Sequence, residues 1–106
     1  MAEHKPGVIW SPEAIGDIDR LWDYYARLSG PAAADRVISE IARVVATIGE
    51  FPLAGRSREE IRPGVRSLAA SPQVVFYRLK NGSPEVVRVL DGRQDIGEIF
   101  FEGEVS

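Results

Sequence analysis

The sequence predicts an α+β domain with the order β-α-α-β-β-β and a short C-terminal helix. Two amphipathic stretches follow one another between residues 12 and 48, with only "SGP" between them, and three strand-like stretches follow between residues 65 and 91. A helical hairpin and a small, mostly antiparallel sheet each have one apolar face to cover, so we expect them to pack on each other. The 106 residues fit a single domain, 1–106, with residues 1–6 and 101–106 expected to be flexible.

A short strand, "GVIW" at 7–10, precedes a strong signal for the start of the first helix. Ser11 suits the cap, Pro12 the first helical position and Glu13 the positive end of the helix dipole. Apolar side chains then recur every three or four residues as far as Leu28, which predicts an amphipathic helix. Its polar face is expected to be solvated and carries Asp17, Asp19 and Asp23.

The second helix is predicted from about Ala32 to Ile48, with "GEFP" at 49–52 ending it. Gly30 and Pro31 separate the two helices, since glycine tolerates the backbone conformation of a helix end and proline suits a first turn. So short a connection makes the helices antiparallel neighbours.

The sheet is predicted to follow a charged loop at 53–64, which glycine and proline interrupt. An Asn-Gly pair at 81–82 between two strand-like runs is typical of a tight hairpin turn. Alternation along the last strand predicts that Val86, Arg88 and Leu90 share a side. The predicted strands and the closing helix are 65–70, 74–80, 85–91 and 94–100.

Charge is unevenly distributed along the chain. The net charge is -3, yet residues 51–93 hold 8 Lys/Arg against 4 Asp/Glu. This stretch is either ordinary solvated surface or a basic surface for an acidic partner. The negative total disfavours direct nucleic-acid binding. Because "MAEHKPG" lacks an apolar segment and no apolar run is long enough to span a bilayer, we expect a cytoplasmic protein that does not enter a membrane.

The sequence contains no strong catalytic or metal-binding motif. His4 is the only histidine and lies in the N-terminal segment, there is no cysteine, and no acidic cluster has metal-ligand spacing. We therefore expect no catalytic residue, no metal and no cofactor.

Three arginines interrupt strands that are otherwise apolar, and we expect them to point away from the helical hairpin. They either cover the open face of the sheet and pair with nearby carboxylates, or line a concave surface that binds an anion or an acidic protein segment. These residues are Arg66, Arg78 and Arg88.

Three stretches, in this order, resemble the RelE/ParE superfamily of bacterial toxins, and within it the ParE branch. They are "WSPEAIGDIDRLWDYYA", "FPLAGRSREEIRPGVRSL" and "VVFYRLKNGSPEVVRVLDGRQDI", and the resemblance covers roughly residues 8–100. It implies a toxin of a type II toxin–antitoxin system that inhibits DNA gyrase through protein–protein contact. It also implies a ParD-like antitoxin with a ribbon-helix-helix DNA-binding head and a segment that folds onto the toxin.

RelE-like members of the superfamily are instead ribosome-dependent mRNA interferases, commonly with a tyrosine or histidine near the C-terminal end. This chain has neither after Tyr77, and Asp91 stands where many ParE-like chains have a histidine. Arginine cannot readily act as a base because it stays protonated. The resemblance therefore implies a toxin that is not an enzyme. A RelE-like mRNA interferase is the alternative, and a small interaction module without toxicity is the third possibility.

The resemblance and the charge distribution give two sets of candidate site residues. Trp22 and Tyr25 also suit the core, whereas Tyr24 lies between acidic neighbours and is the better interface candidate. We expect charge reversal at Arg58 to weaken antitoxin binding more than folding, since exposed loop charges contribute little to stability. The antitoxin-binding candidates are Trp22, Tyr24, Arg56, Arg58, Glu60 and Arg62. The target-binding candidates are Arg66, Arg78, Arg88 and Arg93.

Overall fold

The computed structural model describes residues 7–105, so the predictions for residues 1–6, including His4, lie outside the described residues. The predicted α+β class is confirmed: two helices pack on a five-stranded, mostly antiparallel sheet. No helix within this part of the chain is long and apolar enough to cross a bilayer. The elements are β1 (Ile9–Trp10), α1 (Pro12–Ser29), α2 (Pro31–Glu50), β2 (Arg56–Ser57), β3 (Arg66–Ala70), β4 (Gln73–Lys80), β5 (Ser83–Asp91) and α3 (Ile96–Val105).

Ser11 fixes the start of α1 and ties it to the sheet. Its Oγ accepts a hydrogen bond from the N–H of Ala14 at 3.0 Å and donates one to the carbonyl oxygen of Val87 at 3.0 Å. Its own N–H donates to the carbonyl oxygen of Val86 at 3.0 Å. The predicted cap therefore satisfies the helix end and also fixes the start of α1 against β5.

The strands lie in the order β1-β5-β4-β3-β2, with β1 parallel to β5 and the other neighbours antiparallel. The predicted hairpin is confirmed: Lys80 pairs with Ser83 across a two-residue turn. Asn81 and Gly82 have φ values of 53° and 84°, the left-handed conformation that such a turn requires.

One extra residue in β5 changes which side chains share a face. Phe76 pairs with Arg88, but Tyr77 pairs with Val86, so Val87 has no partner of its own. This is a β-bulge. The prediction that Val86 shares a side with Arg88 and Leu90 is therefore wrong, because the bulge places Val86 on the opposite face.

The sheet has an apolar cluster on each face. The cluster on the helical side includes Ile41 and Ile48 of α2 together with strand residues such as Val75. The cluster on the other face contains Phe76 and is covered by Phe100 of α3. The C-terminal helix continues to Val105, past its predicted end at residue 100. The far face of the sheet is therefore covered at one end and open at the other.

The loop predicted at 53–64 contains a short strand, β2, that the sequence pattern did not reveal. Tyr77 organises the approach to it: its buried hydroxyl donates to the carbonyl oxygen of Pro52 at 2.7 Å and accepts from the N–H of Gly55 at 2.8 Å. A Cβ at position 55 would lie 2.7 Å from the carbonyl oxygen of Ser67, so this close approach requires glycine.

Candidate functional site

A cleft of about 240 Å³ lies on the face of the sheet away from the helical hairpin, between β5, the start of α1 and α3. We call it the arginine cleft. Its apolar lining is Pro12, Val87, Ile99 and Phe100, and its polar lining is Ser11, Glu13, Arg62, Arg78, Glu85 and Arg88.

Arg88 is anchored in this cleft by Asp17. Its Nε and Nη2 donate to the two carboxylate oxygens of Asp17 at 2.8 and 2.9 Å, and the N–H of Val89 donates to the same carboxylate at 2.9 Å. The hydrogen bonds from Arg88 to Asp17 raise the pKa of Arg88. Asp17 is only 4% exposed, so the expectation that it faces solvent is wrong. Asp17 lies three residues after Ala14 and four before Leu21, and this spacing on the apolar stripe is the sequence signal for its burial.

The other two arginines of the cleft are also held in place. Nε of Arg78 donates to Oε1 of Glu85 at 2.8 Å. Nη2 of Arg62 donates to the carbonyl oxygen of Phe100 at 3.2 Å, and its guanidinium lies 5.2 Å from the centre of the Phe100 ring. These contacts give the cleft a fixed shape and attach α3 to the 58–64 loop.

The chemistry available in the cleft is that of matched charges. Glu85 and Asp17 balance Arg78 and Arg88. The described residues that line the cleft include no histidine and no tyrosine. Proton transfer needs a group whose pKa suits the step, which guanidinium groups do not provide. Besides its arginines, the cleft presents the carboxylates of Glu13 and Glu85, and Glu85 is ion-paired with Arg78.

Arg66 does not join this cleft, and its predicted orientation is wrong. Arg66 pairs with Tyr77 and lies on the same face of β3 as Leu68 and Ala70, which pack in the cluster on the helical side. Its Nη1 donates to the carbonyl oxygen of Gly55 at 2.7 Å. Arg66 therefore supports the loop before β2. Arg78 and Arg88 lie on the far face as predicted, although the guanidinium of Arg88 reaches around the sheet edge to α1.

Among the loop residues proposed for antitoxin binding, Arg58 is the most engaged within the fold. It donates to Glu60 at 2.7 Å and to Ser67 at 3.1 Å, and its guanidinium lies 5.5 Å from the centre of the Phe76 ring. The hydrogen bond from Arg58 lowers the pKa of Glu60. Arg58 is 17% exposed, which contradicts the premise that it is an exposed loop charge, whereas Arg56 is exposed.

The aromatic residues of α1 divide between packing and exposure. Nε1 of Trp22 donates to Asp35 of α2 at 2.9 Å, which ties the two helices together. Tyr25 is half-buried, and its hydroxyl accepts from Nε2 of Gln73 at 3.2 Å. Tyr24 is 56% exposed and meets the Tyr25 ring edge to face, with centroids 5.1 Å apart.

Arg93 lies beyond the end of β5, away from the arginine cleft. Its backbone N–H, Nε and Nη2 donate to the Asp91 carboxylate at 2.8, 2.9 and 2.5 Å. These bonds lower the pKa of Asp91 to about 2 and raise that of Arg93. The four predicted target-binding arginines therefore do not form one surface.

An apolar groove of about 250 Å³ between the two helices and β1 was not among the predicted sites. Ile15, at 51% exposure, is its most open large apolar side chain. Periodicity places Ile15 on the apolar stripe of α1, but it does not show whether a residue on that stripe is buried or partly exposed. The groove is lined by Trp10, Ile15, Ile18, Asp19, Ile38, Ile41 and Ala42.

Comparison with known proteins identifies the family to which the chain is similar. The family model described as "ParE toxin of type II toxin-antitoxin system, parDE" matches residues 8–96. The chain is 33% identical to Toxin ParE3 of Caulobacter vibrioides over 89 residues, which is 84% of this chain and 89% of that toxin. It is 34% identical to Toxin ParE1 of Mycobacterium tuberculosis over 87 residues, 81% of this chain and 89% of that toxin.

The fold is also similar to a solved structure described as the chromosomal ParDE TA system from P. aeruginosa. The TM-score is 0.72 at 26% identity, over 84% of this chain and 98% of the other. Fold and sequence together define a toxin component of the type II toxin–antitoxin class. Within that class, the chain belongs to the ParE toxin family.

Proposed function

We propose that this chain inhibits DNA gyrase through protein–protein contact and that a ParD-like antitoxin holds it inactive. The observation that carries the proposal is the family match over residues 8–96. The same family match supports action by binding rather than by catalysis. On this proposal the chain is not an enzyme, uses no cofactor, binds no nucleic acid directly and acts in the cytoplasm.

The proposal is tested with toxin purified free of its antitoxin. In supercoiling and cleavage assays with DNA gyrase, we expect loss of supercoiling and accumulation of cleaved DNA as the toxin is added. Gyrase that keeps its full activity at a large molar excess of toxin would reject gyrase as the target.

The antitoxin partner is supported by the related solved structure, which is described as a chromosomal ParDE system. A segment that folds on binding could insert apolar side chains into the apolar groove between α1 and α2, and place acidic side chains beside exposed basic residues such as Arg56. This arrangement uses the groove as the main contact.

The role of the groove can be tested with a charge placed in it. Ile15→Glu should weaken binding of the ParD-like antitoxin by tenfold or more, because a desolvated carboxylate is costly in an apolar contact. Leu79→Glu is the matched control, since Leu79 is also an exposed apolar residue, at 43%, and lies outside the groove. Equal affinities of the two variants would place the antitoxin elsewhere.

A RelE-like mRNA interferase is the second candidate, and the arginine cleft is the observation in its favour. The cleft lies on the far face of the sheet, where the RelE branch carries its basic residues. Codon-specific cleavage of mRNA on translating ribosomes, lost in Arg93→Ala, would support this activity. Intact mRNA at toxin levels that stop growth would exclude it.

A further inference from the structure

A continuous chain of contacts joins exposed residues of α1 to the end of β5. Tyr24 packs on Tyr25, and Tyr25 accepts a hydrogen bond from Gln73. Gln73 pairs with Asp91 across β4 and β5, and Asp91 holds Arg93. We call the exposed part of this chain, Tyr24, Tyr25 and Arg93, the tyrosine–arginine patch.

The two most exposed members of the patch are held in place by less exposed partners. Tyr24 is 56% exposed, but it rests on a tyrosine whose hydroxyl is fixed by Gln73, itself 2% exposed. The Arg93 side chain is 80% exposed, yet two of its nitrogens are bonded to one carboxylate. Ordering a flexible side chain on binding costs free energy, and side chains already held avoid part of that cost. Tyrosine and arginine are also the residue types that most often dominate protein interfaces.

The charges around the patch favour a protein partner over a nucleic acid. Arg20 and Arg27 lie one turn before and after Tyr24, while Asp23 precedes it. Asp91 offsets Arg93, and Arg20 shares the single charge of Asp17 with Arg88. A nearly balanced surface suits a partner that presents one carboxylate, whereas a phosphate backbone presents a charge at every nucleotide. Leu28, 64% exposed and one turn after Tyr24, adds an apolar contact.

We propose that the tyrosine–arginine patch is the surface with which this toxin contacts its protein target, and that the target presents a carboxylate to Arg93 beside an apolar surface for Tyr24 and Leu28. This rests on the proposed function only in that the chain is a toxin with a protein target. The antitoxin occupies the apolar groove instead, so the two partners use different faces of α1.

The test uses two variants and two controls matched for exposure. Tyr24→Ala is compared with Phe51→Ala, because Phe51 is a 59% exposed aromatic residue outside the patch. Arg93→Ala is compared with Arg43→Ala, because the Arg43 side chain is 74% exposed and also ion-paired, with Glu40. For each full-length variant we would measure growth arrest on induction, inhibition of gyrase, affinity for the ParD-like antitoxin and thermal stability.

We expect Tyr24→Ala and Arg93→Ala to lose growth arrest and to inhibit gyrase at least tenfold more weakly. Their antitoxin affinity and melting temperature should stay within the range of the controls. Undiminished arrest and inhibition would overturn the inference, as would a loss of antitoxin affinity in the patch variants alone. Weaker DNA or RNA binding with unchanged inhibition would also overturn it.

The same data separate this inference from the proposed function. If wild-type toxin arrests growth without inhibiting gyrase, and the patch variants do not arrest growth, gyrase is the wrong target and the patch still faces the true one. If the wild type and the patch variants inhibit gyrase equally, the function stands and the patch does not. A wild type that neither arrests growth nor inhibits gyrase rejects both.

Discussion

Two aspartate–arginine pairs lie along β5 and just beyond its end, and they share the same chemistry in different surroundings. The side chains of Arg88 and Asp17 are 20% and 4% exposed, whereas those of Arg93 and Asp91 are 80% and 22% exposed. The shortest nitrogen–oxygen distances, 2.8 and 2.5 Å, both describe good ion pairs. An exposed pair contributes about 0–1 kcal/mol, but removing one partner of a buried pair costs about 3–5 kcal/mol. Burial, and not contact geometry, therefore separates a structural arginine from one available to a partner.

Asp17 has a second task that Asp91 does not share. Among the described residues 7–105, strand β1 pairs with Glu85 and Val86 alone, so the rest of that edge of β5 has no neighbouring strand in this part of the chain. The carboxylate of Asp17 accepts the N–H of Val89 on this uncovered edge. A side chain from α1 thereby satisfies a backbone donor and blocks an edge that could otherwise pair with another chain.

The largest expected effect comes from breaking the buried pair at its acidic end. Asp17→Ala leaves the Arg88 guanidinium and the Val89 N–H without their acceptor, and should lower the free energy of unfolding by about 3–5 kcal/mol. Denaturant unfolding monitored by circular dichroism measures this. Asp19→Ala, an exposed acid on the same helix, should stay within about 0.5 kcal/mol. Similar losses in both variants would show that Asp17 contributes no more to stability than an exposed aspartate does.

The next largest effect is expected when the buried pair is broken at Arg88. Arg88→Met should cost about 1.5–3 kcal/mol, less than Asp17→Ala, because Asp17 keeps the Val89 N–H and Arg20 as donors. In a double-mutant cycle, Asp17→Ala combined with Arg88→Met should cost less than the sum of the single changes. Strict additivity in denaturant unfolding would mean that the two side chains do not interact.

Much of the fold could be predicted because its signals are local. Ser11 and Pro12 mark the start of α1, and Asn81-Gly82 marks the hairpin; each signal acts through the backbone of the residues beside it. The bulge at Val87 and strand β2 carry no such signal, since both arise from pairing between distant segments. The fold class therefore follows from the sequence, but which side chains of β5 face the helices does not.

The candidate site could be predicted only in part, for the same reason. The exposure of Tyr24 follows from its position on the helix. The misplaced Arg66 shows the opposite case, because strand alternation fixes which residues share a face but not which face meets the helices. The spacing of Asp17 on the apolar stripe signals its burial, but its partner is an arginine 71 residues away along the chain. Only the tertiary fold shows that the Asp17–Arg88 pair is buried and that the Asp91–Arg93 pair is exposed.

A smaller effect is expected when the exposed pair is broken. Arg93→Ala should change the free energy of unfolding by no more than about 1 kcal/mol, since solvent screens the pair and replaces its hydrogen bonds. Denaturant unfolding beside Arg88→Met makes the comparison direct. A loss at Arg93 as large as that at Arg88 would mean that the end of β5 depends on this contact and that Arg93 is not free to serve a partner.

The last test of the exposed pair is the titration of Asp91, which measures a pKa and not a change in stability. Arg93 lowers the pKa of this carboxyl to about 2, below the roughly 3.9 of an unfolded aspartate. Because the folded-state pKa is the lower one, the pair's contribution is complete above about pH 4 and disappears as the pH falls through about 2. Carboxyl chemical shifts measured by NMR should give the low value in the wild type and a value closer to 3.9 in Arg93→Ala. An unchanged titration in that variant would show that a group other than the Arg93 side chain stabilises the charged Asp91. The exposed ion pair would then have no effect on the pKa of Asp91.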